Sequence, residues 1–88
     1  MVGLSRDMII HPGITLMEVL SDRGISSEDL SIKIERSMDE VNNVLNGTEN
    51  ISLSFAKKLE EALAIDSAFW INLQNEYDKE MELYSSRY

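Results

Sequence analysis

Between Ile25 and Gly47 the chain reads ISSEDLSIKIERSMDEVNNVLNG, and within it two helix starts follow each other closely. Ser26 with Asp29, and Ser37 with Glu40, have the spacing at which a hydroxyl accepts from an amide of the new first turn while the acid accepts from the cap residue's own amide. Few apolar residues follow each start: Leu30 and Ile34 after the first, Val41, Val44 and Leu45 after the second. Helices this short do not persist alone in water, because nucleation fixes several residues before hydrogen bonds accumulate. The segment therefore demands a surrounding core, which confines the chain to a packed helical domain.

The rest of the sequence offers that core in helical periodicity. Proline suits a first helical turn, where its missing N–H costs nothing, so His11-Pro12-Gly13 opens a helix to about Asp22 with Leu16, Val19 and Leu20 inward and Gly24 as its stop. The two starts then give helices over about Ser27–Ile34 and from Ser37 to a close at Asn46-Gly47. Two short helices about three residues apart have the spacing of a helix-turn-helix. Past the polar loop Thr48-Glu49-Asn50, Ser52 caps a fourth helix in which Phe55, Ala56, Leu59, Ala62 and Leu63 recur at helical intervals, ending near Ala64. Asp66 caps a fifth over about 67–84, with Trp70, Leu73, Tyr77, Met81 and Tyr84 as one stripe. No strand alternation competes, and the expected fold is all-α: five helices, the last extended. Residues 1–10 lack a period and read as an N-terminal arm, extended at Met8-Ile9-Ile10, before a single domain over 11–88 whose two-helix unit spans about 26–47.

Composition narrows the chemistry. Sixteen Asp plus Glu against 8 Lys plus Arg give a formal net charge of −8 in 88 residues, which repels nucleic acid and anionic membranes at long range. The acidity is not confined to a tail, since the 26–47 unit shares it. With no Cys there is no disulfide or thiolate zinc site, as suits a reducing cytoplasm, and no apolar run approaches membrane-spanning length. A signal peptide's basic start and apolar stretch are also missing from the sequence. His11 is the only histidine, so a metal or catalytic role lacks partners, and packing or capping at the helix start is the expectation. The acids Asp39-Glu40 and Glu60-Glu61 are sequence neighbours and diverge on a helix. No enzyme, cofactor or metal site is expected.

Three motifs carry a family resemblance: IHPG at Ile10–Gly13, VNNVLNG at Val41–Gly47 and FWINLQNEYD at Phe69–Asp78. Together, over roughly Ile10 to Asp78, the chain resembles the Xre/Cro-type, lambda-repressor-like helix-turn-helix family, in its HigA/VapI-like antitoxin branch; similar FWxNLQ helices also precede metallopeptidase-like domains. The resemblance implies a five-helix lambda-repressor-like domain, often dimeric, that binds an operator through its third helix and engages a cognate toxin. Carried over by position, Ser27 touches a phosphate, Met38, Asp39, Asn42 and Asn43 face the major groove, and Thr48 and Asn50 approach backbone phosphates, with the DNA-binding segment running from Ser37 to Asn46. The chain departs from the family pattern at Ser27, where Gln or another long polar residue is common, and at Met38–Glu40, commonly polar or basic. It also departs at Glu35, commonly Gly, and Arg36, commonly apolar. Glu35 is thereby expected in a left-handed conformation, at about 1 kcal/mol relative to Gly.

Two functional readings follow. In the first the chain is a HigA-like antitoxin or small DNA-binding regulator, dimeric and cytoplasmic, with Asn42 and Asn43 suited to adenine edges because an amide pairs with N6 and N7 together. In the second the scaffold is an acidic protein-interaction module that has lost DNA reading, its Met38-Asp39-Glu40 tip and net charge suited to a basic partner such as a toxin. Glu40 reads better as a capping-box residue than as a reader. In the C-terminal stripe, Trp70 and its neighbours close the core, while Met81 and Tyr84 outrun a core this small. The set Trp70, Leu73, Tyr77, Met81 and Tyr84 is the expected dimer or partner surface, joined by the apolar surplus Met8, Ile9, Ile10, Ile14 and Met17.

Overall fold

The computed structural model describes residues 9–87, with side chains through Ser85. Five helices follow in order: α1 (Pro12–Arg23), α2 (Ser27–Ile34), α3 (Met38–Leu45), α4 (Leu53–Leu63) and α5 (Ser67–Arg87), with no strand among the described residues. Each begins or ends where local chemistry dictates. His11 caps α1 through its side chain, Pro12 occupies the first helical position, and Gly24 turns left-handed at φ 67° to stop it. At Ser26 the reciprocal capping box is complete, Asp29 accepting from the Ser26 amide while Ser26 Oγ accepts from Asp29 N. Ser37 and Ser52 cap α3 and α4, their hydroxyls accepting at 3.1 Å from Glu40 N and Phe55 N. Asp66 Oδ1 accepts from Ala68 N at 2.8 Å as α5 begins.

The box expected at Ser37 is only half made. Instead of returning to the Ser37 amide, the Glu40 carboxylate takes Nη1 of Arg36 at 2.9 Å. A full guanidinium charge outcompetes a single amide for the same oxygen. Glu35, which ends α2, does adopt the left-handed conformation expected of it, at φ 56°, and Ala64 does the same after α4 at φ 59°.

One core joins all five helices. Leu16 and Leu20 from α1, Leu30 and Ile34 from α2, Val41 and Val44 from α3, and Phe55, Ala56, Leu59 and Leu63 from α4 enclose it, with Ile51 from the preceding loop. Trp70 closes it from α5, wholly buried. α3 packs on α1 and α2, α4 on α2 and α5, and α5 also on α1. The tightest junction is at Gly13, where a Cβ would lie 1.9 Å from the Val44 carbonyl oxygen. α1 therefore rests on the end of α3 at a distance only glycine permits. α5 runs 21 residues, longer than expected, or about 31 Å at the helical rise. The molecule measures 44 × 22 × 20 Å, so this helix reaches well past the width of the body. Of the expected N-terminal arm, Met8 and all before it lie outside the described residues, while Ile9 is buried and Ile10 exposed.

Candidate nucleic-acid interface

α3 divides cleanly into two faces because its apolar residues recur at three and four. Val41 and Val44 are wholly buried, which turns Asp39, Asn43 and Asn46 outward and leaves Asn42 at the margin. Met38, at the leading end, is 39% exposed. The outward face bears one acid, three amides and a thioether, and no cation. Ser37 is exposed, but its hydroxyl already accepts the helix-capping bond. Ser27 is half-buried in the first turn of α2, and Thr48 and Asn50 are exposed beyond the other end of α3. The fold thus brings together the major-groove candidates Met38, Asp39, Asn42 and Asn43 on one edge, with Thr48 and Asn50 past its end.

The loop that carries Thr48 is held from within. Thr48 Oγ1 donates to the Asn43 carbonyl at 3.1 Å, and the Thr48 and Glu49 amides donate to the same oxygen. Gly47, at φ 81°, makes the turn, and a Cβ there would meet the His11 ring at 3.6 Å. His11 is the buried joint beneath. Its Nδ1 accepts from Gly13 N at 2.9 Å, which confirms the capping expectation, and its ring meets Tyr77 edge-on at 4.8 Å between centroids. Burial lowers its pKa below 6.5, against the opposing influences of the Glu49 backbone and the Asp78 carboxylate.

Sequence reasoning missed two links. Arg36 donates to Glu40 and also to Ser54 Oγ, tying the α2–α3 turn to the first turn of α4. Gln74 is buried at 5% exposure, and its Oε1 accepts from Ile51 N at 2.8 Å while Nε2 donates to Asp78 at 2.9 Å. Its signal was visible: Gln74 lies four residues after Trp70, on the core side of α5. The stripe assigned to a partner surface divides. Trp70 is in the core and presents no surface; Leu73, Tyr77, Met81 and Tyr84 are each half-exposed. Ile10, Ile14 and Met17 are exposed, whereas Ile9 is buried. No helix among the described residues is long and apolar enough to cross a membrane.

No family model matches the chain. Virulence-associated protein A' of Dichelobacter nodosus is 30% identical over 69 residues, which are 77% of this chain and 60% of that protein. The chain thus spans about 60% of the length of this curated relative. Solved structures align over more of their length. The antitoxin HigA of Pseudomonas aeruginosa with its higBA promoter superposes with a TM-score of 0.84 at 31% identity, over 88% of this chain and 85% of that one. A Pseudomonas aeruginosa structure in complex with 18-bp operator DNA gives 0.81 at 31% identity, over 86% of this chain and 83% of that one. An addiction module antidote protein of the HigA family from Coxiella burnetii gives 0.82 at 32% identity, over 89% of this chain and 86% of that one. With identity above 30% across most of both chains, and the same arrangement of five helices, this chain belongs to the HigA family of antitoxin helix-turn-helix proteins.

Proposed function

We propose that the chain is an antitoxin and transcriptional regulator that binds operator DNA through the outward edge of α3 and neutralises a cognate toxin. One observation carries the proposal: the unit α2–turn–α3 exposes a polar edge, Met38 to Asn46, in a fold shared with proteins bound to their operators. Ser27 and Ser37 at the starts of α2 and α3, and Thr48 and Asn50 past the end of α3, are the phosphate-side contacts; Asn42 and Asn43 face the bases. The toxin partner, a homodimer formed through Leu73, Tyr77, Met81 and Tyr84, a cytoplasmic setting and membership of the wider Xre/Cro, lambda-repressor-like group belong to the same proposal. So does a domain that begins at about residue 11.

The net charge of −8 favours a second reading in which the acidic surface binds a basic protein and no DNA. Arg36 weakens it, because Glu40 is already paired with its guanidinium at 2.9 Å, and among the described residues only Asp39 of the tip's two acids has no partner. Titration of the protein against DNA upstream of its own gene, at two salt concentrations and beside a scrambled duplex, separates the two. The proposal expects a specific complex that weakens as salt rises. Equal or absent binding to both duplexes at low salt removes the operator function and leaves the protein-binding module.

A further inference from the structure

The outward edge of α3 carries no Arg or Lys, so the commonest specific contact to DNA, a cation on guanine O6 and N7, is not available to this helix. Of its two acids, Glu40 is held by Arg36 at 2.9 Å, and that guanidinium is itself held by Ser54. Asp39 is exposed and engages nothing among the described residues, one turn before Asn42 and Asn43. A free carboxylate is an acceptor only. In the major groove it finds a donor in the exocyclic amine of cytosine or of adenine, but adenine sets its N7 acceptor beside that amine, where a second carboxylate oxygen is repelled. Cytosine N4 has no such neighbour on its own base.

Resting on the operator reading above, we propose that Asp39 is a specificity-determining residue that selects cytosine at one position of each half-site by accepting from its N4 amine. Next to it, Met38 presents an apolar surface suited to a thymine methyl group. The carboxylate adds nothing to overall affinity, since it also meets the field of the phosphates; its effect is the difference between cytosine and the other bases at one place. Substitution of Asp39 therefore acts in two separable ways: affinity for DNA in general rises, and preference at that position is lost.

The test is selection from a random duplex pool at low salt with the full chain and with Asp39→Asn and Asp39→Ala, followed by titration of the selected site and of the same site with that cytosine replaced by thymine. Thermal melts of both variants check that they keep the fold. The proposal expects the wild type to lose about tenfold in affinity on the replacement, and both variants to bind the two sites within about twofold of each other. Selected sites whose preferences are identical for wild type and both variants, or whose altered position is an A·T pair and so holds no cytosine on either strand, overturn the assignment to Asp39 while leaving operator binding intact. Failure of all three proteins to enrich any sequence overturns the operator reading together with it.

Discussion

Gly13→Ala tests the packing that holds α3 in place. The new Cβ would lie 1.9 Å from the Val44 carbonyl oxygen and 2.9 Å from its carbon. Carbon and carbonyl oxygen come no closer than about 3.3 Å even in favourable contacts, so α1 and α3 must part by more than an ångström. A flexible side chain would swing aside; a backbone carbonyl inside a helix cannot. Overpacking of this kind costs about 1–3 kcal/mol and more where backbone is trapped, while alanine returns at most about 1 kcal/mol of helix propensity. The net loss is about 2 kcal/mol, which for a domain of this size lowers Tm by roughly 10 °C. Gly24→Ala is the control: nothing lies within 4 Å of its Cβ, but φ is +67°, so only the left-handed conformation is penalised, at about 1 kcal/mol. Thermal melts followed by circular dichroism should rank Gly13→Ala well below Gly24→Ala. A Gly13→Ala protein as stable as the wild type, or the reverse ranking, would refute the claim that α1 seats α3 by this contact.

Other expectations follow from single contacts. Glu35→Gly relieves a left-handed residue whose carboxylate is 81% exposed and only loosely paired with Lys58 at 3.6 Å; chemical denaturation should show a gain of about 0.5–1 kcal/mol. Gln74→Leu leaves the Ile51 amide without its acceptor in a buried setting, and the same assay should show a loss of about 1–3 kcal/mol. His11 has a pKa lowered in the fold, so its contribution to stability is fully present above the unfolded value of about 6.5 and is lost as pH falls through that value toward the folded one. His11→Asn keeps a capping acceptor and removes the titration, and its urea midpoint should vary less than the wild type's between about pH 7.5 and about pH 5.5.

What was legible in the sequence was local. Ser26, Ser37, Ser52 and Asp66 each act within three residues of themselves, so the helix starts could be read directly, whereas the left-handed stop at Glu35 was implied only by the family resemblance, in which glycine is common there. The apolar recurrences of α1 to α4 named the core correctly because each helix is amphipathic. What escaped joins distant parts of the chain. Arg36 meets Ser54, and Gln74 meets Ile51; periodicity places Gln74 on the core side of α5 but names neither partner. The Ser37–Glu40 spacing matches a local capping box, but spacing does not show that Arg36 competes for the same carboxylate. The partner stripe was overextended at Trp70 for a related reason: periodicity groups residues by face, and only packing says how far along a long helix the core ends. On α3 the residue types were plain in the sequence, but which acid stands free required the Arg36 contact.

Whether the outward edge of α3 meets DNA is read by amide chemical-shift mapping of the labelled protein on addition of the duplex upstream of its gene. The largest changes are expected from Ser37 to Asn50 and at Ser27, with the outer half of α5 little affected. Changes concentrated on α5 with α3 silent would contradict that contact.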